Sequence, residues 1–434
     1  MTWSEKHHKT YEIECNFPRR SEHGLGIGVL LGLSGGVALR PAVERAMHMR
    51  SPSSDVIKCI EQLIAFDTTS RNSNLALIHW AAERLEHAGA RLRYNFNAEG
   101  TKANLFATFG DGPGGVVLSG HTDVVPVDGQ AWTTDPFQAD VRDGRLYGRG
   151  SCDMKGFVGV VLANVDRFSQ ARLREPIHCA LTYDEEVGCL GVPGLVQEIK
   201  KAGVSPIGCI VGEPTDMRVI LAHKGGRIYR CRVTGVSAHS SLTPIGVNSI
   251  EYAARLITFI HQLAEKERQS GAREDGYDVP FSTMSVNMIQ GGTWNNIIPA
   301  VCEFYFEYRF LPSLSGDYFI DEIKRFASEE LIPKMKAVDS RASIDFEQLL
   351  ANPGLNTTDG EDIFRLALDL TGDTERRKVA YGTEAPFFQQ IGIASVICGP
   401  GSINQAHQPD EYVTLEQLAV CENFVHRLVD RLST

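Results

Sequence analysis

From Ser54 onward, apolar residues recur at helical spacing: Val56, Ile57, Ile60, Leu63 and Ile64 follow a Ser/Asp start that reads as an N-cap. That pattern predicts an amphipathic helix. Short apolar runs then recur at 104–109, 116–119, 178–182, 209–211 and 395–398, each the length of a buried strand. Helical periodicity occupies 157–168 and 192–201, between several of these runs. Buried strands alternating with helices imply an α/β fold, a central sheet covered by helices on both faces.

Near Gly225 the texture changes. Residues 228–233 read as a strand, and Asn248 with Glu251 reads as a cap and third-position acid opening a helix through Ala253, Ala254, Ile257 and Ile260. Strand patterns follow at 284–289 and 301–310, then a helix over 318–336. This is an α+β segment inside an α/β chain. The α/β pattern resumes near Asn352 and closes with a helix after Thr414, where Thr-Leu-Glu-Gln reads as a capping box. The chain therefore divides into an extension (1–50), a first α/β part (51–225), an inserted domain (226–350) and a second α/β part (351–434), and 434 residues suit two cores better than one.

A formal net charge of −11, without any Lys/Arg-rich run, argues against a nucleic-acid partner, which would need clustered cations to displace phosphate counterions. The 10 cysteines are scattered with no Cys-x-x-Cys pair, so they read as reduced thiols of a cytoplasmic protein. Residues 1–50 stand apart. Arg19 and Arg20 precede an apolar, Gly-rich stretch over 24–39 that resembles part of a signal peptide, but no small-residue cleavage site follows and the stretch is short for a membrane span. The expectation is a poorly ordered extension or an upstream start, with Met47 or Met49 as a natural first residue and no membrane partner.

Four acidic or histidine motifs directly follow predicted strands: Gly-His-Thr-Asp at 120–123, Asp-Glu-Glu at 184–186, Gly-Glu-Pro-Thr at 212–215 and Ala-His-Gln-Pro-Asp-Glu at 406–411. In open α/β sheets such positions converge on a crevice outside the carboxyl ends of the strands. A fifth motif, at 148–156, is a Gly-rich turn that places Asp153 at the start of a helix. Any one of these acids alone reads as a cap or a surface group. Together, Asp123, Asp153, Glu185, Glu186 and Glu213 with His121 and His407 would repel or desolvate one another unless a cation neutralised them. Imidazole and carboxylate without thiolate suit zinc, with cobalt or manganese as substitutes, and a shared carboxylate would hold two ions about 3.5 Å apart. His121 and Asp123, two apart in an extended segment, should point to one side, so that Asp123 accepts the second ring N–H of His121.

These motifs resemble the two-zinc metallopeptidase and deacylase family that includes acetylornithine deacetylases, succinyl-diaminopimelate desuccinylases, aminoacylases and certain carboxypeptidases, from about Ser54 to the chain end. The resemblance implies a zinc-peptidase-like catalytic domain with a central mixed sheet, interrupted by a lid or dimerisation domain that makes a homodimer. It implies one zinc on His121, Asp153 and Glu213 and another on Asp153, Glu186 and His407, with cobalt able to substitute, and a cis peptide bond after the bridging Asp153. Glu185 is then the general base, Asp123 is also counted in the catalytic set, and His239 is a donor to the oxyanion in the partner subunit's site. Asn296, Arg309 and the segment Gly382, Thr383, Glu384 are implied substrate contacts; without the resemblance Arg309 reads as a strand-surface arginine. The segments at 382–388 and 399–412 are similar to the deacetylase branch, which implies hydrolysis of the small-molecule N-acyl amino acid N2-acetyl-L-ornithine, as in arginine biosynthesis. Alternatives are acetylcitrulline, succinyl-diaminopimelate or a small peptide. Pro386, Phe387 and Phe388 stand where desuccinylases carry an Arg, implying an apolar acetyl pocket; Glu384 offers a carboxylate for the cationic end of ornithine, and reads equally well as a helix N-terminal acid.

Overall fold

The computed structural model describes residues 51–434; the expectations for residues 1–50, including the choice of first residue, lie outside the described residues. Nine strands form a mixed sheet. In spatial order it runs Arg91–Phe96, Ala103–Phe109, Ile177–Thr182, Val116–His121, Gly208–Pro214, Ser395–Gly399, Ile220–His223 and Leu355–Asn356, with Arg377–Val379 also pairing with Ile220–His223. The four middle strands are parallel and buried along their whole length, which explains their unbroken apolar runs. Because they are parallel, their carboxyl ends open on one edge of the sheet. The motifs at 120–123, 184–186 and 212–215 sit there, and the loop bearing 406–411 leaves the same edge.

The helix Ser54–Ile64 forms as its pattern predicts, with the Ser53 hydroxyl accepting from the Val56 N–H at 3.4 Å and with Val56, Ile60, Leu63 and Ile64 buried in the main core. Burial of each such side chain contributes about 2 kcal/mol. Leu63→Ala would also leave a cavity and should cost about 3 kcal/mol. The helical pattern at 157–168 proves to be two helices, Lys155–Ala163 and Val165–Gln170. At Asn164 the side-chain amide turns back to the Val160 carbonyl, a local bond that competes with continued helix. The first of these helices lies so close to the sheet that a Cβ on Gly212 would stand 2.0 Å from the Phe157 ring. Only glycine fits there.

The inserted segment builds its own antiparallel sheet in the order Thr283–Gly291, Val301–Phe310, Gly225–Thr234 and Ser343–Asn352. Along Val301–Phe310 burial alternates strictly, so Cys302, Phe304, Phe306, Tyr308 and Phe310 face a second core shared with Leu256, Ile260, Phe319 and Ile323 from covering helices. Asn248 caps the helix Ser249–Ser270 by accepting from the Ile250 and Glu251 N–H groups. The helix expected over 318–336 is interrupted by a π-helical turn at Ala327–Leu331. Thr414 caps the last helix, Leu415–Leu432, but the capping box is only half formed: the Gln417 side chain accepts from the Gly401 N–H instead of the cap. Among the described residues no helix is long and apolar enough to cross a membrane.

Candidate metal centre

The strand Val116–His121 delivers His121 to the crevice with its side chain fully enclosed. Its Nε2 lies 2.9 Å from Asp153 Oδ1 and 3.7 Å from Glu213 Oε1. Glu213 lies within the strand Gly208–Pro214, one strand away, rather than just after it. The other carboxylate oxygen of Asp153 faces His407 Nε2 at 3.3 Å, and that same nitrogen is 3.0 Å from Glu186 Oε2. Two groups of three ligand atoms result: His121, Asp153 and Glu213, and Asp153, Glu186 and His407, each with all its atoms within 4.8 Å of one another. Asp153 belongs to both. The peptide bond after it is cis.

The electrostatics show what such a cluster lacks. Burial lifts the Glu213 carboxyl well above the usual range, and burial together with neighbouring carboxylates lifts Glu185 to about 8 and Glu186 to about 7. Burial also opposes ionisation of Asp153, but hydrogen bonds from His121 and His407 hold it low. Hydrogen bonds to Asp153 and Glu186 push His407 up to about 10, and despite the penalty of burial the Asp153 and Glu213 carboxylates hold the His121 proton well above its ordinary range. A divalent ion at each group would neutralise these carboxylates and displace the proton from each imidazole, as at metal sites built from His and carboxylate. The donors fit zinc, since the one thiol in the turn, Cys152, is buried and directs its sulfur to the Ser402 carbonyl at 3.4 Å.

Asp123 sits differently from expectation. The His121 Nδ1 meets the backbone carbonyl of Asp123 at 3.0 Å, while the Asp123 carboxylate is 3.7 Å away. The extended segment points both residues inward, but the carbonyl is the nearer acceptor and fixes the tautomer. The carboxylate instead accepts the Ser70 hydroxyl at 2.7 Å and the backbone N–H groups of Glu185 at 3.1 Å and Glu186 at 3.3 Å. It anchors the turn that carries Glu185 and Glu186. Lys102 pairs with Asp184 in the same turn.

The implied substrate contacts are less uniform. Arg309 crosses over Gly226, its Nη1 3.1 Å from where a Cβ would stand, and is about one-third exposed. Asn296 is exposed and its carbonyl accepts from the Ser240 N–H, next to the pairing of His239 with Ile297. His239 is exposed, and its Nδ1 accepts from the Ser241 N–H, which leaves Nε2 as the donor. Gly382 is partly exposed beside the Lys224 carbonyl and Asn352. Thr383 is buried, its hydroxyl 3.1 Å from His223 Nε2. Glu384 corrects the expectation most clearly: it is buried, with one oxygen accepting from Ser119 at 2.6 Å and the other from Thr182 at 2.7 Å, so no lone oxygen faces an ornithine ammonium. Pro386 and Phe388 are likewise core residues and only Phe387 is half-buried, so this segment brings no cation but is not the wall of an open acetyl pocket.

One residue of the centre went unassigned in the sequence. Glu411 closes the motif at 406–411 and is buried; its carboxylate accepts from the backbone N–H groups of Gly150 (3.1 Å), Cys152 (2.9 Å) and Asp153 (3.0 Å) and from Arg149 (2.6 Å). Nothing in its local sequence distinguishes it from the neighbouring Asp410.

Comparison with known proteins agrees with this geometry. The model of the peptidase family M20/M25/M40 matches residues 117–431. An acetylornithine deacetylase of Pasteurella multocida is 35% identical over 366 residues, 83% of this chain and 92% of that protein. Among solved structures, the aminopeptidase PepT from Bacillus cereus shares the fold with a TM-score of 0.69 at 17% identity, covering 88% of this chain and 99% of that one. The Bacillus subtilis YXEP protein, described as a dinuclear metal-binding peptidase, superposes with a TM-score of 0.61 at 15% identity over 89% and 99% of the two chains. The chain therefore belongs to the M20/M25/M40 peptidase family and is a metal-dependent amidohydrolase.

Proposed function

We propose that the protein is a cytoplasmic two-zinc deacetylase acting on N2-acetyl-L-ornithine, releasing ornithine and acetate, and that it works as a homodimer. The observation that carries the metal reading is Asp153, one carboxylate with an imidazole at each oxygen and a further carboxylate on each side. The acetylornithine reading rests on similarity to the Pasteurella multocida deacetylase over most of both chains. Bound zinc would acidify water and polarise the amide carbonyl. Glu185 stands outside both ligand groups, accepting only the Cys189 thiol at 3.3 Å among the described residues, and can take the proton of the attacking water and return it to the leaving amine. Arg309 offers a fork for the α-carboxylate. His239 presents Nε2–H from an exposed position flanked by the exposed apolar residues Leu242, Ile245, Trp294 and Ile297, a surface suited to a second copy of this inserted domain. The chain parts at 51–225, 226–350 and 351–434 would then be catalytic, lid and catalytic.

The test is steady-state hydrolysis of N-acetylornithine beside N-acetylcitrulline, succinyl-diaminopimelate, acetylmethionine and a dipeptide. N-acetylornithine should have the highest kcat/KM. On the deacetylase reading the succinyl substrate should trail N-acetylornithine. Faster turnover of the dipeptide would replace deacetylation with peptidase activity.

A further inference from the structure

His121 and His407 are held in different ways. The His121 ring is fully enclosed and its second nitrogen is fixed by the Asp123 carbonyl. His407 is about half exposed, and among the described residues no hydrogen bond reaches its second ring nitrogen, so its position depends on its backbone. That backbone is in the left-handed region, φ 62°. Its carbonyl accepts from Gln130 at 3.0 Å, and the Gln130 side-chain oxygen accepts in turn from Arg149 at 2.6 Å. Arg149 is buried and also binds Glu411. Glu411 spends both oxygens on the turn before Asp153: one on Gly150 and Arg149, the other on Cys152 and Asp153.

We propose that Glu411, acting through Arg149, is the positioning residue that locks the turn presenting the bridging Asp153 to the loop presenting His407. The group of Asp153, Glu186 and His407 depends on this lock for two of its three ligands. The group of His121, Asp153 and Glu213 depends on it for one, because the other two sit on adjacent strands of the central sheet. Loss of the lock should therefore weaken the two metal sites unequally. A carboxylate that merely stabilised the fold would lower the melting temperature and leave the ratio of the two affinities alone.

This inference rests on the two-metal reading, and the experiment separates their failures. Co2+ is titrated into the metal-free full chain and into Glu411→Gln, by calorimetry and visible absorption. In the variant the amide nitrogen opposes one pair of N–H donors at unchanged volume. One of the two stepwise affinities should fall by roughly 10- to 100-fold, the range for partners that orient ligands, and the ratio of the two should change by about tenfold or more. Arg149→Lys, which keeps a cation but loses the fork to Gln130, should shift it in the same direction, and decides the matter if Glu411→Gln does not fold. A parent chain that binds two ions and a variant ratio within about twofold of the parent's overturn the positioning role alone. A parent that binds a single ion overturns the two-metal reading and this inference with it.

Discussion

The Asp123 carboxylate offers a sharp test, because the structure gives it a role different from orienting His121. Asp123→Asn keeps the shape. One amide oxygen can still accept a backbone N–H, and the Ser70 hydroxyl can reverse to accept from the new NH2, but that NH2 must face the N–H of Glu185 or Glu186. One charge-assisted bond is lost and a buried donor is left opposed, together about 2 to 3 kcal/mol. If that energy holds the 185–186 turn in its productive position, kcat should fall by roughly 30- to 150-fold. The ion held by His121 should remain, since the backbone carbonyl that fixes its tautomer is untouched. The assay is kcat on N-acetylornithine beside metal content by mass spectrometry. A variant within about threefold of the parent would refute the anchoring role. Loss of all metal would show that the carboxylate does orient His121.

Glu185→Gln should lower kcat by at least about a hundredfold with both ions retained, and loss of one ion would mean that Glu185 and Glu186 have exchanged roles. Mixing the inactive Glu185→Gln and His239→Ala chains under subunit exchange should restore activity, because one mixed site carries neither lesion; an inactive mixture with exchange confirmed by mass spectrometry would exclude a shared site. His223 is buried with its Nδ1 on the Lys224 carbonyl and its Nε2 accepting from the Thr383 N–H, and burial holds it down to about 4. A depressed histidine contributes stability that is present above its ordinary value near 6.5 and lost as pH falls from there toward 4. Urea unfolding of the parent should therefore lose about 2 to 3 kcal/mol more than His223→Gln between pH 7 and 4.5; parallel pH profiles would contradict this.

Much of the site was legible in the sequence because parallel strands bring their carboxyl ends to one edge, so short motifs at strand ends converge without any knowledge of sheet order. His121 and Glu186 follow that rule, Glu213 needed only its type and its strand, and His407 comes from the loop that leaves the same edge. The antiparallel insert was legible for a different reason, the alternation along 301–310. What stayed hidden depends on partners far away in the chain. Glu411 reads as a surface acid until the turn at 150–153, some 260 residues earlier, folds around it. Glu384 reads as a helix-start acid facing a ligand until Ser119 and Thr182, on two different strands, claim both oxygens. Asp123 shows a finer limit: two-residue spacing correctly puts it inside with His121, but whether a carbonyl or a carboxylate lies nearer is a matter of less than 1 Å. The strand Arg91–Phe96, largely exposed at the sheet edge with Arg91 and Arg93 on it, lacks the apolar run that marks the buried strands.

The central claim is that one carboxylate serves two metal ions. Anomalous diffraction at the zinc edge from crystals of the zinc-loaded protein tests it most directly. The account expects two peaks, one among His121, Asp153 and Glu213 and one among Asp153, Glu186 and His407, with Asp153 between them. A single peak, or a second one away from Asp153 and His407, would contradict it.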